Sequence, residues 1–227
     1  VGMDSDQVEG FDGVYEEVGA AGIGDIETDG RGRLWVVSLY NGQLYQVNLP
    51  ADGSAPTTMV SLGTIGADVV CTNGGKRPFS VKYWRGALYL GVVCDGSLDY
   101  DPFNPDTVAD TNLTFTVMSY DLTTSSWSTF FGPHYLDAGA NVVRGAASNA
   151  TAAIATASVW NPWTDSFPVN PSEQYLFDAR PVPMLSEIEF DRDGSMILGF
   201  RDRTGDQNGV AGTENPGGYV TTDTVAA

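Results

Sequence analysis

The chain has 227 residues, with 29 Asp+Glu against 11 Lys+Arg and a formal net charge of −18. A chain this acidic repels phosphate backbones and anionic lipid surfaces, which argues against nucleic-acid and membrane-surface partners. One histidine, His134, and two cysteines, Cys71 and Cys94, are too few for a His-rich or four-thiolate zinc site.

The length fits one domain, and 42% hydrophobic residues supply a core. Nothing reaches the roughly 18 apolar residues of a membrane span. Val1-Gly2-Met3-Asp4 carries no signal-peptide core, and Thr221 to Ala227 stops without a cap. Residues 1–227 therefore read as one domain, a fragment of a longer multidomain protein.

Most apolar runs are short, rich in Val, Tyr, Trp and Leu, and end at Gly, Asp or Asn, which makes the chain all-β. Asp25 to Ser38 aligns without a gap on Glu187 to Phe200. Ser80 to Val93 is a third copy with a turn shorter by two residues. Each copy is a strand, a polar Gly turn and an apolar strand, the signature of a β-hairpin. A second hairpin follows the first copy at Gln43–Leu49 and Thr57–Leu62. Another follows the Ser80 copy at Thr116–Leu122 and Trp127–Phe131. Hairpin plus hairpin predicts a four-stranded antiparallel unit of about 40 residues, the blade of a β-propeller. Three blades are clear. Val159-Trp160 and Tyr175-Leu176-Phe177 are expected to mark a fourth between the second and third, and Gly218-Tyr219-Val220 the outer part of the last. Sequence beyond this chain is expected to complete the ring.

Cys71 and Cys94 either pair or remain two buried thiols; pairing in an exported protein contributes about 3 kcal/mol on the chain-entropy view. The Lys-poor surface of Ser, Thr, Asn and Gly points to export. Asn112-Leu113-Thr114 and Asn149-Ala150-Thr151 fit the N-glycosylation pattern.

Candidate chemistry is sparse. No serine lies in a G-x-S-x-G elbow, and His134 sits in the turn-like Gly132-Pro133-His134-Tyr135. Gly74-Gly75-Lys76-Arg77 reads as a turn with two solvated cations. Glu27, Lys82 and Glu189 share one place in the three repeats. First strands line a propeller's channel, so these residues are expected to converge there. They then form either a channel salt bridge or, with Glu27 and Glu189 as ligands, a divalent-metal site. Asp95, Asp99, Asp101, Asp106 and Asp110 crowd one insertion and suit Ca²⁺, or merely solvate a loop. Asp191-Arg192-Asp193-Gly194 lacks the third acid of an EF-hand and reads as a turn. Tyr100, Phe103, Trp160, Trp163 and Phe167 lie on the insertions Asp95–Asn112 and Gly132–Pro183, and are expected either to anchor a partner or to pack the insertions onto the blades.

The hairpins quoted above resemble a family, together with Arg77-Pro78-Phe79-Ser80, Trp160-Asn161-Pro162-Trp163-Thr164-Asp165 and Arg201-Asp202-Arg203-Thr204-Gly205-Asp206-Gln207. That family is the bacterial cell-surface β-propeller that precedes immunoglobulin-like modules of the serine-aspartate-repeat adhesin B type. The resemblance covers roughly residues 20–220. It implies a cell-surface location and no catalytic residues. The expected function is a non-enzymatic extracellular structural or adhesive module, with other surface-protein domains, copies of itself or glycans as partners. The rival expectations are a metal-dependent lactonase or sugar hydrolase with its ion in the channel mouth, and a lectin-like propeller that stacks sugars on Trp160 and Trp163.

Overall fold

A computed structural model describes residues 16–99, 113–136, 160–165 and 181–208. Ten strands appear in chain order among these residues. They are β1 (Ile23–Thr28), β2 (Arg33–Ser38), β3 (Gln43–Asn48), β4 (Met59–Thr64), β5 (Lys76–Trp84), β6 (Ala87–Cys94), β7 (Thr114–Asp121), β8 (Ser126–Tyr135), β9 (Pro183–Phe190) and β10 (Met196–Asp202). A 3-10 turn at Ser97–Asp99 and a helix α1 at Arg203–Asn208 are the helical pieces among the described residues.

The strands form three antiparallel sheets: β1-β2-β3-β4, β5-β6-β7-β8, and the pair β9-β10. The first two are the four-stranded units that the repeats predict. Their register reproduces the sequence alignment, because Glu27 pairs with Trp35, Lys82 with Tyr89 and Glu189 with Ile197. Local chemistry fixes the turns. The β5–β6 loop is two residues, Arg85 and Gly86, both with positive φ (49° and 88°). Such a loop matches the strands' twist and favours glycine. Asp121 closes the β7–β8 turn by accepting the Thr123 and Thr124 N–H groups at 2.7 and 2.8 Å.

The sheets stack face to face in chain order, with β5 against both β1 and β9. Side-chain alternation builds two cores. Trp35, Val37 and Leu44 of the first sheet meet Leu88, Leu90, Val92 and Met118 of the second. On the second sheet's opposite face, Tyr89, Val93 and Val117 meet Leu185 and Ile188 of the third. Adjacent residues of β6 thus serve different interfaces, as a period of two requires. The sheets approach closely where side chains are missing. A Cβ on Gly24 would lie 2.7 Å from the Phe79 carbonyl oxygen on β5.

Three expectations are corrected here. β9 packs directly on β5 and β6, so among the described residues no further sheet lies between the second and third. Trp160 lies outside any strand, and 175–177 and 218–220 fall outside the described residues. Gly132–Tyr135 is not a turn at the head of an insertion: it is the end of β8, where His134 pairs with Phe115. Among the described residues the sheets close no ring. No helix there is long and apolar enough to cross a membrane.

Candidate functional site

The first strands of the three sheets carry the candidate site. Asp25 and Glu27 on β1, Lys82 on β5, and Glu187 and Glu189 on β9 come together where these strands run side by side. Lys82 Nζ lies 2.6 Å from Glu189 Oε1 and 3.4 Å from Glu27 Oε2. The convergence expected from one shared repeat position is therefore present. The ammonium sits between the two carboxylates. Among the described residues no three His, Cys, Asp or Glu side chains are grouped to hold a metal.

A second set of contacts was not legible in that alignment. Asp25 Oδ1 accepts the N–H of Ile26 at 2.7 Å, and its Oδ2 accepts the N–H of Val81 on β5 at 2.9 Å. Glu27 repeats the device, with Oε1 on the Thr28 N–H at 2.7 Å and Oε2 on the Tyr83 N–H at 3.3 Å. Ile26 and Val81 hold one repeat position, and Thr28 and Tyr83 the other. Each carboxylate therefore accepts the outward N–H of its own strand and the matching N–H of the next sheet's first strand. Ser80 stands in β5 at the position of Asp25. Its hydroxyl is fully buried and, among the described residues, has no hydrogen-bond partner.

The electrostatics follow from crowding. Burial raises the Asp25 carboxyl above its ordinary value, opposed by the bonds from Val81 and Ile26 and reinforced by Glu27. Glu187 is raised by burial, then by Asp25 and Glu189. Burial disfavours the charged Lys82, but Glu189 and Glu27 outweigh it and raise its pKa above the ordinary 10.5. The raised value favours the protonated ammonium. The arrangement holds strand edges together.

A second cluster lies away from it. Trp163 is sandwiched between two guanidinium groups, Arg77 at 4.1 Å and Arg203 at 3.7 Å from its ring centroid. Its indole N–H donates to Asp165 at 2.7 Å. Arg203 is fully buried and donates to the Val18, Glu16 and Thr164 carbonyls and to Asp165. Arg77 donates to Asp95 at 2.6 Å. Asp95 also accepts the N–H groups of Gly75 and Ser97, at 2.7 and 3.0 Å.

These contacts place several of the expected residues. Trp163 is 1% exposed and faces inward, so it offers no surface for stacking a sugar. Trp160 is half-buried beside Phe200, while Tyr100, Phe103 and Phe167 fall outside the described residues. Asp95 is buried and committed to Arg77 and two N–H groups, not held out to a calcium ion. Asp99 lies in the 3-10 turn, and Asp101, Asp106, Asp110, Asn112 and Asn149 fall outside the described residues. Lys76 and Arg77 are not solvated turn cations. Lys76 donates to the Gly66 and Ala67 carbonyls at 2.8 and 2.9 Å. Asp191–Gly194 is a hairpin turn closed by the Asp191 N–H to the Ser195 carbonyl at 2.9 Å. Cys71 and Cys94 form a disulfide with a Cα–Cα distance of 5.2 Å.

No protein-family model matches the chain, and no solved structure matches it. Two curated proteins of Dictyostelium discoideum are similar to it. Colossin-C is 26% identical over 196 residues, 80% of this chain and 16% of that protein. Colossin-A is 28% identical over 131 residues, 58% of this chain and 1% of that protein. The chain thus spans a small part of the length of either relative. These relatives are eukaryotic, which overturns the resemblance to bacterial surface adhesin propellers.

Proposed function

We propose that this chain is a sector of a β-propeller and serves as a non-enzymatic structural module of an extracellular protein. Each sheet is a blade in this reading, and the first strands line the channel. The observation that carries it is the meeting of Glu27, Lys82 and Glu189, one repeat position in three successive sheets, at a common centre. A flat stack of sheets would hold equivalent residues apart; rotation about an axis brings them together. The groups at that centre bond to strand N–H groups and to each other, which suits a scaffold. The Cys71–Cys94 disulfide supports an oxidising, extracellular setting. Partners in this reading are neighbouring domains of the same polypeptide or further copies of it.

The test is an experimental structure of the intact natural polypeptide. A closed ring of sheets, with Glu27, Lys82 and Glu189 facing its channel, is the expected result. An open stack, or a ring whose centre lies elsewhere, overturns the reading.

A further inference from the structure

The three sheets present equivalent forward faces, and two of them are covered. On the first sheet that face carries Asp25, Glu27 and Trp35, and Trp35 is fully buried beneath the second sheet. On the second it carries Lys82 and Tyr89, and Tyr89 is 8% exposed beneath the third. On the third it carries Glu187, Glu189 and Ile197. Register sets this face: Glu189 pairs with Ile197, and Glu187 with Gly199, while Ile188 and Leu198 point back to the second sheet. Ile197 holds the position of Trp35 and Tyr89 yet is 60% exposed. Glu187 and Glu189 hold the positions of Asp25 and Glu27, which accept the N–H groups of the next sheet's first strand. Among the described residues no donor reaches Glu187.

We propose that the Glu187–Glu189–Ile197 face of β9–β10 docks the first strand of a further antiparallel sheet of the same polypeptide. Glu187 and Glu189 accept two outward N–H groups, two residues apart, on that strand. Ile197 is covered by the sheet's apolar side chains. The partner is defined by chemistry already used between β1 and β5: an extended edge with free N–H groups at i and i+2, flanked by a β-branched or aromatic face. The carboxylates also suit that strand because an amide edge is a neutral donor that brings no second anion. This inference rests on the propeller reading for the direction in which sheets follow one another.

The test uses the intact natural polypeptide carrying Ile197→Cys, labelled with a maleimide, against Val70→Cys, which replaces a residue that is 86% exposed. Labelling at position 197 is expected to be at least about tenfold slower, the protection typical of a site reached only through local opening. Adding Glu187→Ala is expected to restore much of the rate. Glu187→Gln, which keeps an acceptor oxygen, is expected to restore little. Amide exchange across 187–199 in the unsubstituted polypeptide gives the same reading without a variant. Labelling as fast as at position 70 overturns the proposal. So does protection that appears only as protein concentration rises, since the cover would then be a second copy. Protection indifferent to Glu187→Ala overturns the role of the carboxylate. The two readings separate cleanly. A closed ring in which Glu187 accepts no strand N–H sinks only this inference, and an open stack with position 197 covered sinks only the ring.

Discussion

β5 has two neighbours, and it is joined to them by different chemistry. Toward β1 the joint is mainly carboxylate to backbone: Asp25 and Glu27 accept the Val81 and Tyr83 N–H groups, and Lys82 adds a longer ion pair to Glu27 at 3.4 Å. Toward β9 the joint is side chain to side chain: the Lys82 ammonium meets Glu189. Ser80, at the position of Asp25, has no carboxylate to offer, and its short hydroxyl is buried without a partner among the described residues. The first joint satisfies groups that would otherwise be buried donors, and a lost partner there leaves a full desolvation cost. The second is an ion pair whose Glu189 side chain is 48% exposed, so solvent screens it. One repeat position thus supports a strong and a weak joint, and packing behind each decides how much the difference matters.

The largest effects come from breaking the packing behind each joint. Trp35→Ala removes a fully buried ring stacked on Tyr83 at 5.5 Å. It should cost about 3–5 kcal/mol in chemical denaturation. Ile188→Ala, behind the second joint, should cost about 2–5 kcal/mol. Near-zero loss for either would mean that its interface does not contribute to folding.

Next comes Asp25→Ala, which leaves the Val81 N–H without its acceptor. It should cost about 1–3 kcal/mol, and faster amide exchange at Val81 should accompany the loss. Lys82→Met keeps the stem and removes the charge. It should change stability by about 1 kcal/mol or less. A Lys82 effect larger than that of Asp25 would reverse the ranking of the two joints.

pH separates them most finely. The folded pKa of Asp25 is raised, so its contribution is fully present below the ordinary 3.8 and is lost as pH rises through the folded value. Asp25→Ala should therefore cost more in acid than at neutral pH. The folded pKa of Lys82 is also raised, so its contribution is fully present below the ordinary 10.5 and is lost as pH rises through the folded value. Lys82→Met should approach wild type in strong alkali. Melting curves at the two extremes check both signs.

The hairpins, the four-stranded sheets and the meeting of Glu27, Lys82 and Glu189 were legible because a repeat fixes equivalent positions without knowledge of distant contacts. The bridging role of Asp25 and Glu27 was half visible: the alignment placed them, but only the stacking of β1 on β5 shows which N–H groups they reach. The Arg77–Trp163–Arg203 sandwich was not legible. Its members are far apart in sequence and share no period, so nothing local decided between Trp163 as an exposed anchor and Trp163 as packing. Gly132-Pro133 misled for a local reason, because the pair looks like a turn and instead lies within the edge strand β8.

Arg203 grips the carbonyls of Glu16 and Val18, 187 and 185 residues earlier in the chain. That clasp sets an order on biosynthesis. The segment before β1 leaves the ribosome early but finds its anchor only when residue 203 has emerged. Until then Trp163 lacks one of its two covering guanidinium groups, and the opening turn lacks its tether. A chain stopped before Arg203 is expected to leave both open, and faster proteolysis of such a truncation than of the longer chain would show it.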